Sequence, residues 1–155
     1  MRLLLKLEKI FRLSPEDLYL IFVTYLVLGT IRLGLWLLPF HTLLKLLEKV
    51  SQSDFPFPTP NLQNPSLFLH KIVWSVNTAT RNMPGDAKCL ARALTAKFLM
   101  ARYGHIPKLC IGVAKKNEEN IEAHAWIEYQ GYIIIGFLPD LSRYILLPSL
   151  EGVKL

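Results

Sequence analysis

A cysteine stands where a helix is about to begin, in Asp86-Ala87-Lys88-Cys89-Leu90-Ala91-Arg92-Ala93-Leu94. Gly85 or Asp86 can cap that helix, and Ala and Leu carry it onward. The first turn of a helix presents N–H groups without intrahelical partners and the positive end of the dipole. A thiol placed there ionises more readily, and the thiolate is the nucleophile. Lys88 and Arg92 add positive charge nearby. Downstream, Ala123-His124-Ala125-Trp126-Ile127-Glu128 carries a histidine early in an expected strand. A cysteine on a helix and a histidine on a strand, brought together by a fold, can attack a carbonyl carbon and shuttle a proton. The same residue types also suit a buried structural cysteine and a surface histidine, and residue types alone leave both readings open.

The other candidates carry less chemistry. Cys110 lies in Ile106-Pro107-Lys108-Leu109-Cys110-Ile111-Gly112-Val113, mid-strand among small residues, and reads as a packing residue. His41, His70 and His105 fall on or at the ends of expected helices, in surface or capping roles. Trp126 is two residues from His124, so it shares its strand face and can shield it from water. Glu122 and Glu128 flank the histidine and read as facing solvent or a peptide.

The elements that must position these residues follow from periodicity. The Cys89 helix is expected from about Ala87 to Arg102, with Cys89, Ala93, Ala96 and Met100 on one side. Small residues there let a sheet approach closely; Lys88, Arg92 and Arg102 fall on a solvated side. Gly104 is the expected C-terminal cap. Before it, 67–81 reads as a helix with Ile72, Val76 and Ala79 inward and Trp74 as its large anchor. Strands are expected over 108–114, 122–129, 132–137 and 143–147, with a hairpin across Gln130-Gly131. Leu109, Ile111 and Val113 share one face of the first; Cys110, Gly112 and Ala114 share the other. The order implies an α+β domain in which a helix carrying Cys89 packs on an antiparallel sheet carrying His124.

The front of the chain is helical. Residues 1–13 read as a short amphipathic helix, with Leu3, Leu7, Ile10 and Phe11 on one face. Ser14-Pro15-Glu16-Asp17 starts a second, with Ser14 as N-cap and Pro15 at the first position. From Leu18 to Leu38 the chain is almost continuously apolar, with Arg32 its only charge. Such a helix spans about 31 Å, close to the thickness of a bilayer core. Arg32, Thr24, Thr30 and basic residues on both flanks argue instead for a helix packed on the domain or on a partner. Pro39 ends it, and an amphipathic segment over 43–50 follows. Residues 51–66, with Phe55-Pro56-Phe57-Pro58-Thr59-Pro60, read as an extended linker. The expected organisation is therefore a helical docking or membrane-associated front over 1–50, a linker over 51–66 and a domain bearing Cys89 and His124 over 67–155.

Composition sets outer bounds. The 155 residues suffice for one domain with a real core. With 52% hydrophobic residues, some apolar surface must be covered internally or at an interface. The net charge of +6 suits an acidic peptide or a membrane surface. No nucleic-acid module signature is present, and the basic residues are dispersed. Two cysteines do not make a disulfide scaffold and fit a reduced, cytoplasmic compartment. No zinc-type ligand spacing and no secretory signal are visible.

The blocks 84–94, 106–113 and 123–128, in that order and spacing, resemble the transglutaminase-like leader peptidases of lasso-peptide biosynthesis. These are the second component of a split B protein. Ile31-Arg32-Leu33-Gly34-Leu35-Trp36-Leu37-Leu38-Pro39-Phe40 is similar to the N-terminal part of that family. The resemblance implies a transglutaminase-like, papain-like cysteine-peptidase core, with Cys89 as nucleophile and His124 as general base and acid. It implies removal of the leader from a ribosomally made precursor peptide, with no metal or other cofactor. The implied partners are the precursor, a leader-recognising protein and a macrolactam synthetase. Family members often carry an Asp about a dozen residues after the histidine. That place is taken here by Gly136, and the first acid beyond it is Asp140. Asp140 is thus the candidate third member; a Cys89–His124 dyad with a backbone or amide orienter is the alternative. Transamidation, with an amine in place of water, and a non-catalytic membrane-associated binding module are the rival functions.

Overall fold

The computed structural model describes residues 13–53, 65–85, 89–117 and 119–148. All but the last residue of the helix expected over 1–13, most of the linker expected over 51–66 (54–64) and the residues just before Cys89 (86–88) lie outside the described residues. Helix α1 runs Pro15–Leu37. Ser14 caps it as expected, its Oγ accepting the Asp17 N–H at 3.2 Å, with Pro15 at the start. Leu38 is extended because Pro39 follows, and α1 stops there. Helix α2 runs Phe40–Ser51, α3 Pro65–Asn82 and α4 Cys89–Arg102. Gly104, at φ +80°, ends α4: the His105 N–H reaches the Met100 carbonyl at 3.0 Å and the Gly104 N–H that of Ala101 at 3.1 Å.

Four strands form one antiparallel sheet in the order β3-β2-β1-β4. They are β1 Lys108–Lys115, β2 Ile121–Tyr129, β3 Tyr132–Ile135 and β4 Ile145–Leu146. Gln130 and Gly131 both have positive φ, 51° and 82°, which makes the two-residue hairpin turn the sequence signals. The β2–β3 pairing then slips by one: Glu128 faces Ile133 but Ile127 faces Ile135, so Ile134 is a bulge. The described residues thus give four helices and a four-stranded antiparallel sheet, the expected α+β class.

The helices cover one face of the sheet. Ala125, Ile127 and Ile135 from the strands join Phe68, Ile72 and Val76 of α3 and Ala93, Ala96, Leu99 and Met100 of α4. A second cluster joins Leu28 and Ile31 of α1, Leu43 of α2, Ala79 of α3 and Ala91 and Leu94 of α4. The front helices and the cysteine-bearing part, set apart in sequence by 51–66, therefore share their core. Ile72, Val76 and Ala79 are fully buried, as their spacing predicts, but Trp74 is not an anchor: it remains 38% exposed. Phe68 takes that role, buried edge-on against Tyr103 with ring centroids 4.4 Å apart.

Helix α1 has two different faces. Leu20, Val23, Thr24, Leu28 and Ile31 are buried on α3 and α4. Thr24 Oγ1 lies 3.0 Å from Ser75 Oγ of α3, and both residues are completely buried. Ser75 Oγ in turn lies 2.8 Å from the Ile72 carbonyl and Thr24 Oγ1 2.7 Å from the Leu20 carbonyl, so both buried hydroxyls have acceptors within their own helices. Asp17 pairs with Lys71 of α3 at 2.8 Å. Burial works against its charge, but Lys71 and Ser14 outweigh it and hold the carboxyl below its usual value. The opposite face presents Phe22, Leu26, Leu33 and Trp36 to the exterior, Trp36 at 81% exposure. By length and composition α1 meets the requirement for crossing a membrane. Its packed face makes it an integral helix of the domain.

Candidate active site

Cys89 is the first residue of α4 and is half-buried. Its approach to the sheet follows from the small residues below it: Ala93 and Ala96 have no exposed surface, so α4 lies close on β2. The thiol reaches the strand, with Sγ 3.9 Å from the Ala123 carbonyl oxygen, to which it can donate. Two arginines fix this end of the helix. Arg32, the lone charge of the apolar run, sends Nη1 2.9 Å to the Pro84 carbonyl and so ties down the approach to α4. Arg92 Nη2 donates to Asn77 Oδ1 of α3 at 2.5 Å. The expectation of a solvated Arg92 is thus corrected: it is partly buried against α3. Burial, then repulsion from Arg81, lower its pKa, while attraction to Cys89 works in the opposite direction. Arg92 stands three residues after Cys89, within the first turns of α4. Arg102, also expected in solvent, donates to the carbonyls of Val50, Ser51 and Ser53 at the end of α2. A cation is favourable at that negative helix end.

His124 sits on β2 directly opposite Gly112 of β1. Ala125 and Ile127 belong to the helix-covered core, so His124, Trp126 and Glu128 alternate to the other face. The imidazole lies nearly parallel to the Trp126 indole, with centroids 6.2 Å apart, and beside Tyr144 at 5.7 Å. The expected sharing of a face by His124 and Trp126 holds. Gly112 makes room for this cluster: a Cβ there would meet Tyr144 Cβ at 3.0 Å and the Trp126 ring at 3.1 Å. Trp126 Nε1 donates to Glu128 Oε1 at 3.0 Å, which pins the indole. Cys89 packs on the helix side of β2 and His124 projects from the other, so the thiol meets β2 at the residue before the histidine.

His124 Nε2 lies 2.7 Å from the backbone carbonyl oxygen of Gly136. Asp140, the candidate third member, is placed elsewhere: its Oδ2 accepts from Arg143 Nε at 2.6 Å, at the start of the short 3-10 turn Leu141–Arg143. Arg143 also pairs with Glu122 and donates to the Lys115 carbonyl at 3.1 Å. Its three partners come from three segments, and together they hold Asp140 at the sheet margin. Cys110 is 2% exposed, and burial, followed by the nearby Glu128 charge, pushes its thiol up to about 11. That fits packing. The described residues contain no group of three His, Cys, Asp or Glu side chains arranged for a metal ion.

Three participants were not named from the residue types. The Gly136 carbonyl is a backbone group, signalled only by a glycine where an acid was expected. Tyr144 comes from a turn beyond the hairpin, with no local signal. Arg32 reads as an argument about membranes until its bond to Pro84 is seen. No curated protein and no solved structure matches the chain significantly. A family model does: its match covers residues 25–147, from within α1 through β4, and takes in Cys89, His124 and Asp140 alike. That family is compatible with cysteine hydrolase or transferase chemistry. On this match, over most of its length, the chain belongs to the transglutaminase-like superfamily.

Proposed function

We propose that the protein is a cysteine peptidase that removes the leader from a ribosomally made lasso-peptide precursor. The observation that carries the chemistry is the thiol at the first residue of α4, 3.9 Å from the carbonyl of the residue preceding His124. His124 takes the Sγ proton, and the thiolate adds to the scissile carbonyl carbon. The C–N bond breaks as His124 returns the proton to the leaving amine, which leaves a thioester. Water then gives a proton to His124 and adds to the thioester; the C–S bond breaks and Sγ recovers the proton. The unpaired N–H groups of the first turn of α4 are the donors for the oxyanion. The substrate class rests on the resemblance of the blocks 84–94, 106–113 and 123–128 to the leader peptidases. The exposed face of α1, with Phe22, Leu26, Leu33 and Trp36, is the surface offered to the leader-recognising partner. In this reading the freed core peptide passes to a macrolactam synthetase.

The test is reconstitution. The purified protein, a precursor peptide and the leader-recognising partner are incubated, and the products are weighed by mass spectrometry, with and without an added primary amine. A free carboxylate at the leader's new end, lost in Cys89→Ala, supports the peptidase. Amine incorporation at that carbonyl in place of water assigns a transferase. Intact precursor in both samples, with the partner bound, leaves a binding module.

A further inference from the structure

We infer that the peptide carbonyl of Gly136 does for His124 what a carboxylate does in a Cys–His–Asp triad. It holds the imidazole as the Nε2–H tautomer and leaves the Nδ1 lone pair free to act as the base. The inference rests on the proposed pairing of Cys89 with His124. Its geometric basis is the 2.7 Å separation of Nε2 and the Gly136 oxygen. A carbonyl oxygen can only accept, so the hydrogen bond exists only when Nε2 carries the proton. In neutral imidazole the lone pair then belongs to Nδ1, which has no hydrogen-bond partner among the described residues. The stacked Trp126 and the tilted Tyr144 restrict the ring rotation that would carry Nε2 away from the carbonyl.

The backbone is built to keep this carbonyl in place. Gly136 has φ +84°, and a Cβ there would stand 2.8 Å from the Ala125 oxygen and 2.9 Å from Trp126 Cβ. No side chain fits, so an aspartate at 136 could not reach His124 by the same path. The bulge at Ile134 sets the register that brings residue 136 level with Trp126. The neighbouring acids are committed elsewhere: Asp140 and Glu122 to Arg143, and Glu128 to Trp126 Nε1 and, at 3.8 Å, to Lys108. Gly136 is therefore a positioning residue whose working atom belongs to the main chain.

Nitrogen-15 NMR of the full chain labelled at histidine reads the tautomer directly, with His124 assigned by loss of its signals in His124→Gln. At a pH where the ring is neutral, one tautomer is expected, with Nε2 protonated and Nδ1 not. An Nδ1–H tautomer, or rapid averaging between the two, overturns the inference. A second measurement weakens the acceptor and leaves every side chain in place: semisynthesis replaces Phe137 by its α-hydroxy acid, which turns the 136–137 amide into an ester. Folding is checked by circular dichroism. The expected result is averaging of the His124 tautomers and about a tenfold slower alkylation of Cys89 by iodoacetamide, a loss of part of the general-base term. An unchanged tautomer in the folded ester also overturns it. These readouts need no peptide substrate. An Nε2–H ring in a protein that cleaves nothing removes the peptidase reading alone, and cleavage with an Nδ1–H ring removes this inference alone.

Discussion

Gly136→Ala tests, on stability, how tightly the β3 exit is pressed against β2. Two positions share nearly the same backbone: Gly131 at φ +82° and Gly136 at φ +84°. At Gly131 a Cβ meets nothing within 4 Å, whereas at Gly136 it meets the Ala125 oxygen at 2.8 Å and Trp126 Cβ at 2.9 Å. An L-residue held in the left-handed region costs about 1–2 kcal/mol, and both variants carry that cost. Only Gly136→Ala adds a clash with a strand backbone that cannot rotate away, about 1–3 kcal/mol more by the usual cost of overpacking. Gly136→Ala is therefore expected to be destabilised by about 2–5 kcal/mol and Gly131→Ala by about 1–2 kcal/mol. In a domain of this size each kcal/mol lowers Tm by about 2–4 °C. Urea denaturation followed by circular dichroism measures both variants against the parent. Equal losses would refute the reasoning, because they would show that β2 does not press on residue 136. The site that depends on its carbonyl would then have no rigid support.

Cys89→Ala should abolish precursor cleavage while the leader-recognising partner still binds, and Cys110→Ala should leave cleavage largely intact; product masses and a pull-down check both. His124→Ala should lower turnover by about two to four orders of magnitude, since both proton transfers lose their carrier. An alkylation pH profile for Cys89 identical to the parent's would uncouple the two residues. Asp140→Asn should keep single-turnover cleavage within about twofold of the parent, because its carboxylate is paired with Arg143, whereas losing the orienter of a Ser–His–Asp triad costs about 10⁴. A loss of tenfold or more would return Asp140 to the triad. Cys110, whose folded thiol is pushed from 9.0 up to about 11, favours the protonated form more in the folded than in the unfolded chain. Its share of stability is complete below about pH 9 and is lost as the pH rises towards 11. Urea midpoints across that window should therefore fall less steeply in Cys110→Ala than in the parent.

Much of the local structure was legible in the residues because it depends on neighbours in sequence. Ser14 and Pro15 start α1, Gly104 ends α4, Gln130-Gly131 turns the hairpin and the alternation of 109–114 assigns its faces. Ala93 and Ala96 announced a close helix–sheet approach, and the positions of Cys89 and His124 followed from element order. Other features depend on which distant residue arrives opposite, and no local pattern carries that. Trp74 reads as an anchor by size, yet Phe68 faces Tyr103 and Trp74 faces outward. Arg92 has the spacing of a solvated residue, but α3 supplies Asn77 to receive it. Arg32 interrupts an apolar run, and only the folded chain shows the Pro84 carbonyl it reaches. The hydrogen-bond partner of His124 was the least legible. A single bulge at Ile134 shifts the register by one residue, brings a main-chain oxygen to the imidazole and leaves Asp140 to Arg143. Side-chain identities constrain what chemistry a chain can do; strand register, set by the whole sheet, decides which atom meets the ring.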